Sequence, residues 1–366
     1  MQVTLFLCGD VMIGRGVDQI LPCPSPPHLR EVALSSAADY VALAERANGP
    51  IPRPVDWGYV WGVVPEVLRR KRPHARIINL ETSITTSEKA APKGINYRMH
   101  PANAAVLEAA EIDCCVLANN HVLDWGVDGL LETLTTLRQR GMRFAGAGEN
   151  LAAAQAPAVL DIGSAGRVLV FAVGATDAGI PPSWAAGSAT PGVHLLPDFS
   201  ERTVEYFAQL VDASKQLDDI AVASVHWGAN WGFAVPRAHH HFAHALIDRA
   251  RIDVVHGHSS HHPRAIEVYR GRPIFYGCGD FLNDYEGIPG HEHFRGDLVL
   301  MYVPTLESRT GALVRLEMTP LQIRNFRLRS AEREDRILLR SLLDRECRRF
   351  GHQVVCRDDA YALVWP

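Results

Sequence analysis

Four imidazoles fall within seven positions in His256-Gly257-His258-Ser259-Ser260-His261-His262, directly after the apolar run at 252–255. Neutral imidazole is the commonest protein ligand for transition metals and the side chain best suited to proton transfer near neutral pH. A loop so rich in it points to a metal or an anion. Four other apolar runs end in the same way: 3–8 runs into Gly9-Asp10, 75–80 into Glu81, 116–118 into Asn119-Asn120-His121, and 220–225 into His226-Trp227. Carboxylate, amide and imidazole together suit a hard or borderline divalent cation (Mn, Zn, Mg, Fe or Ca, as one ion or two) better than copper or a thiolate cluster. Asp10, Glu81, Asn120, His226, His258 and His261 are the candidate ligands. Each alone also has a structural reading, as an Asx-turn at Asp10 or a helix cap at Asn119-Asn120.

Positioning these residues requires strands whose ends share one rim. Short apolar runs separated by helix-length amphipathic segments describe an α/β chain, and ligands bind at the carboxyl ends of strands in such sheets. Helices are expected near 38–47, over 102–110, 130–141 and 200–217, and over the Arg- and Glu-rich stretch 332–350. Residues 313–329 alternate like hairpin strands. His239, His240, His241 and His244 lie on a helix, where they read as its polar face. Trp57, Tyr59 and Trp61 line either a pocket or the core. Residues 283–293 form a polar loop with Gly and Pro hinges.

Composition sets the limits. The 366 residues carry 47% hydrophobic and 21% charged side chains and a net charge of -4, which offers nothing to nucleic acid or an anionic membrane. Seven scattered cysteines without a C-x-x-C pair indicate a reduced interior. With no secretory leader and no bilayer-length apolar run, the expectation is a cytoplasmic protein with no membrane anchor. Oligomeric state is not readable from the sequence.

The runs LFLCGDVMIGR, IINLETSIT, VLANNHVLDWGVDGLLETL, FAGAGEN, SVHWGANW and VVHGHSSHHPRAIEVYRGRPIFYGCGDFLND, spread over residues 3–303, resemble the successive blocks of the CapA family. Named members of that family act in poly-γ-glutamate capsule synthesis, and the family is similar to calcineurin-like metallophosphatases. The resemblance implies an α/β four-layer sandwich, two packed β-sheets flanked by helices, with a metal centre at the strand ends. Asp10 matches the first metallophosphatase block, Glu81 the second, Asn120-His121 the third, His226 the fourth, and His258 with His261 the last. Two departures stand out: Met12 occupies the usual histidine position of the first block, and Glu81 replaces an aspartate. The loss of one ligand puts a dinuclear phosphatase mechanism in doubt. The domain division implied is 1–312 as the catalytic domain, with 313–366 packed on it as a hairpin and helix.

An untethered chain of this family is similar to the lasso-peptide epimerase branch. There a Lewis acid would acidify a peptide α-proton, which one group removes and another returns. Asp10 and His293 are the candidates for that pair. In the alternative, a hydrolase of a phosphoester or γ-glutamyl amide, His121 donates the proton. Arg98, in the otherwise apolar GINYRMH, suits a carboxylate or phosphate. With Trp227 and Arg264 it makes the candidate substrate-binding set for a peptide or γ-glutamyl substrate. A non-catalytic binding module is the third reading.

Overall fold

The computed structural model describes residues 1–366. A ten-stranded sheet runs in the order Gln353–Arg357, Ala360–Val364, Leu313–Arg324, Leu298–Glu307, Gln2–Val11, Ala75–Leu80, Cys114–Val116, Arg143–Ala145. Asp280–Leu282 joins it beside the first strand, and Arg327–Ser330 pairs with Leu313–Arg324. A six-stranded sheet runs Ile266–Tyr269, Arg272–Phe275, Val254–His258, Ile220–His226, Arg167–Gly174, Ala158–Asp161. The central strands of both are parallel, so their carboxyl ends share one rim.

Because side chains alternate across a strand, a continuous apolar run feeds two cores at once. On the first strand Phe6 and Cys8 pack with Val17, Val41, Leu68 and Leu134 of the outer helices. Its Val3, Leu5 and Leu7 meet Val170, Val222 and Val254 of the second sheet. On the far side, Ala221, Ala223 and Val255 pack against Phe207, Phe242 and Leu246 of the helices Glu201–Asp212 and Arg237–Ala250. The result is the mixed α/β sandwich of two sheets flanked by helices that the family resemblance implied.

Some boundaries move. The helix expected from residue 130 begins at Gly126, because its first turn is largely polar or exposed and leaves no apolar periodicity to read. The strand expected to stop at 255 continues to His258, so His256 and His258 are strand residues and not loop residues. Trp61 is fully buried and donates to the Val106 carbonyl at 2.7 Å, which makes it core. His239 is not part of a polar face: its ring is buried, stacked on Trp227 at 4.7 Å, with Nε2 2.7 Å from Asp177.

Candidate metal centre

Backbone register brings the distant donors together. Asp10 is opposite Asn79 on one neighbouring strand and Asp280 on the other, while His226 is opposite His258 in the second sheet. One donor atom each from Asp10, His226 and His258 lies within 4.8 Å of the other two, and Asp10, His261 and Asp280 form a second such group. Asp10 is common to both, so the rim holds two adjoining subsites compatible with one ion or two. Asn120 Oδ1 is 3.0 Å from His226 Nε2, and Glu81 Oε1 is 3.9 Å from the same nitrogen.

Supporting contacts aim these groups. Asn79 donates to Asp10 Oδ1 at 2.7 Å, and the Ser259 amide donates to Oδ2 at 3.2 Å. Ser224 Oγ sits 2.9 Å from His258 Nε2, which leaves Nδ1 facing Asp10 Oδ1 at 3.9 Å. Such hydrogen bonds set the tautomer and orientation of a ligating imidazole.

The electrostatics fit a cation. Burial and then the charge of Asp280 push the Asp10 carboxyl up to about 7, against the Asn79 hydrogen bond. Burial and the Asp10 charge push Glu81 well above the ordinary carboxyl value, and its Oε2 is buried without a hydrogen-bond partner. Crowded, desolvated carboxylates with an orphaned oxygen are stabilised by a divalent ion. Burial holds His226 and His258 well below the ordinary imidazole value, in the neutral form that ligation requires. The groups whose geometry could hold a metal ion are therefore Asp10 with His226 and His258, and Asp10 with His261 and Asp280, while Glu81 and Asn120 stand beside His226 as neighbours of the first.

The profile described as bacterial capsule synthesis protein PGA_cap matches residues 4–285. The chain belongs to this capsule synthesis protein family. It is 49% identical over 366 residues to a probable polyglutamine synthesis accessory protein of Mycobacterium tuberculosis (strain H37Rv), covering 100% of this chain and 96% of that one. It is 30% identical over 317 residues to the PGA biosynthesis protein CapA of Bacillus subtilis (strain 168), covering 86% and 70%. To the capsule biosynthesis protein CapA of Bacillus anthracis it is 25% identical over 285 residues, covering 77% and 60%.

In this capsule-family chain His121 stands beside the donors without joining either group. Its Nδ1 is 2.6 Å from Asp124 Oδ2, and its Nε2 is 3.7 Å from Glu81 Oε1. Burial, opposed by Asp124, lowers it to about 4, so the ring is neutral at pH 7 with Nε2 turned toward the centre. Lys93 neutralises Asp124 at 2.8 Å, and the Tyr97 ring meets His121 edge-on at 4.3 Å.

The remaining expected site residues lie outside this cluster. Arg98 donates to the Ser87 and Pro26 carbonyls and stacks over Trp125 at 4.1 Å. Trp227 is fully buried, with its indole N–H on the Tyr276 carbonyl. Arg264 is buried and donates to the Ala229 carbonyl. His293 is exposed on the Glu292–Phe294 turn and has Phe294 as its ring neighbour.

Sequence reasoning passed over Asp280, 2.8 Å from His261 Nδ1, although Asp280 sits after an apolar run as the chosen residues do. It also passed over Asn79, Asp124 and the buried Arg15. Arg15 pairs with Asp284 and Glu31 and reaches the Tyr97 hydroxyl at 3.3 Å, so it anchors the ring beside His121. Next to His261, Trp231 and Tyr285 open into a cavity of about 350 Å³ that Asn283, Glu286, His291 and Arg295 also line. A larger cavity, about 1010 Å³, lies at the opposite ends of the strands beside Arg143 and Arg167 and touches none of the donors.

The seven cysteines are free thiols. No helix is long and apolar enough to cross a membrane.

Proposed function

We propose that this protein is a metal-dependent enzyme acting on a γ-glutamyl or other peptide-type substrate, accessory to the synthesis of a glutamyl polymer, and that its reaction is amide hydrolysis. The observation that carries this reading is His121, held by Asp124 with a free, neutral Nε2 beside the Asp10–His226–His258 donor group. The names of the relatives, which refer to polyglutamine synthesis, PGA biosynthesis and capsule biosynthesis, support a substrate with repeated amide links.

A divalent cation at this centre would supply Lewis-acid polarisation of water and of the scissile carbonyl. The protein does the rest. His121 Nε2 takes a proton from water as its oxygen bonds to the carbonyl carbon, and returns it to the amine nitrogen as the C–N bond breaks. Asp124 holds the Nδ1 proton and stabilises the imidazolium that forms in between. The polar cavity beyond Trp231 and Tyr285 has room for neighbouring residues of the chain; Arg295 on its wall is already paired with Asp297 and Asp335.

Epimerisation is the second reading, favoured by one observation. The Tyr97 and Tyr285 hydroxyls are 2.7 Å apart, and their rings meet His121 and His261 respectively. His121 would remove the α-proton and the phenol pair would return one. Incubation of α- and γ-linked glutamate oligomers with the protein and Mn²⁺ in heavy water separates the two. Shortened products support hydrolysis, whereas deuterium at a Cα with the length unchanged supports epimerisation. Unchanged oligomers in every case would overturn both.

A further inference from the structure

The helix Arg237–Ala250 packs on the outer face of the second sheet, and it carries His240 and His244 one turn apart. Residues at i and i+4 share one helix face, so the two rings stand together, centroids 4.0 Å apart. Both aim at one carboxylate on the edge strand Ile266–Tyr269. His244 Nε2 is 2.9 Å from Glu267 Oε1, and His240 Nε2 is 3.7 Å from Glu267 Oε2. One donor atom from each of the three residues lies within 4.8 Å of the other two.

An ordinary histidine–glutamate pair would account for His244 alone. At 3.7 Å the second imidazole is beyond hydrogen-bonding reach of the carboxylate, yet it faces the other oxygen of the same group. Tetrahedral zinc, with bonds of about 2.0–2.1 Å, separates its ligand atoms by about 3.3 Å, a spacing that three donor atoms lying within 4.8 Å of one another reach with small side-chain movements. The carboxylate is already oriented: the Tyr276 hydroxyl donates to Glu267 Oε2 at 2.6 Å, and Tyr269 stacks on the His244 ring at 3.6 Å. Side-chain exposures of 33% for His240, 20% for His244 and 10% for Glu267 leave the fourth position open to water.

We propose that His240, His244 and Glu267 form a second cation site, selective for a borderline divalent ion of the zinc class. It is separate from the strand-end centre, and it staples the outer helix to the edge strand of the second sheet. Two imidazoles and one carboxylate are too nitrogen-rich for Mg²⁺ or Ca²⁺. With three protein ligands and one open position, the ion exchanges with solvent, and other metals of its class compete for it.

The test is titration of Zn²⁺ into the full chain, purified without a histidine tag and stripped of metal, with metal per chain measured by elemental analysis after gel filtration. The wild type should retain one more equivalent than a His240→Gln/His244→Gln variant. Glu267→Gln should hold that equivalent at least ~10-fold more weakly. In a His226→Ala/His258→Ala background the extra equivalent should persist and should still raise the melting temperature. Equal stoichiometry in the wild type and the His240→Gln/His244→Gln variant, both folded by circular dichroism, would overturn the proposal. So would loss of all Zn²⁺ binding in the His226→Ala/His258→Ala background, since the ion would then belong to the strand-end centre.

Discussion

His226 and His258 stand opposite each other on neighbouring parallel strands, with their Nδ1 atoms 2.8 Å apart. The two rings share one N–H···N hydrogen bond, and each also offers a donor atom to the group that includes Asp10. His258→Ala should therefore remove the strand-end equivalent of metal from the purified protein, as read by elemental analysis, and leave unaffected any ion held by His240, His244 and Glu267. If binding is intact, chelation of the wild type should lower its melting temperature. Saturation at 100 times Kd is worth about 2.7 kcal/mol. A metal content unchanged by the substitution would remove His258 from the centre.

Asn79 touches no presumed ion but donates to Asp10 at 2.7 Å. Loss of a hydrogen bond that orients a ligand typically weakens metal binding by ~10–100-fold. Asn79→Ala should show that loss in a competition titration with a chromophoric chelator, while keeping the fold. An unaltered affinity would mean that Asp10 is held in place by its backbone alone.

His121 and Asp124 separate chemistry from metal binding. His121→Asn should keep the metal and lower kcat by ~10²–10⁴-fold on whichever oligomer is turned over. Asp124→Asn should lower kcat less and displace the pH profile, since Asp124 acts by positioning and stabilising the ring. Equal activity of His121→Asn and wild type would transfer the proton role elsewhere.

Gly9 precedes Asp10 where two strands nearly touch. A Cβ built there would lie 1.6 Å from the Gly279 carbonyl oxygen and 2.7 Å from its carbon, both backbone atoms that cannot swing away. Gly9→Ala should separate the first strand from Asp280–Leu282 and displace Asp10 relative to Asp280. The expected outcome is a loss of metal together with a stability loss of about 1–3 kcal/mol in denaturant unfolding. A variant with wild-type stability and metal content would show that the strand pair can open at no cost.

His194 offers a pH test away from the centre. Burial lowers its pKa from 6.5 to about 4, against a hydrogen bond with the Ala172 backbone. The fold therefore favours the neutral ring. Its contribution is fully present above the unfolded value and is lost as pH falls through that value toward 4. Between pH 7 and pH 5 the loss is about 2 kcal/mol. Denaturant unfolding at the two pH values should show a drop in the wild type that exceeds the drop in His194→Gln by that amount, the other buried histidines being common to both. Equal drops would mean that His194 has the same pKa folded and unfolded, so that burial does not lower it.

What was readable in the sequence was the local part of this design. Apolar runs of strand length ending in Asp10, Glu81, Asn120, His226 and His258 are properties of consecutive residues, and burial on both faces makes such runs continuous. Asp280 follows a similar run, but its role depends on pairing with the first strand some 270 residues away. No local pattern records that.

The same division decides the imidazoles. Sequence alone determined that the 256–262 stretch and the 239–244 helix are rich in histidine, and that carboxylates and amides sit at strand ends. Only tertiary structure decided that His239 stacks on Trp227, that His244 meets Glu267, and that His226 faces His258. Periodicity specifies which face of an element is apolar, whereas the partner of a buried polar group is set by register and sheet packing between segments far apart in the chain.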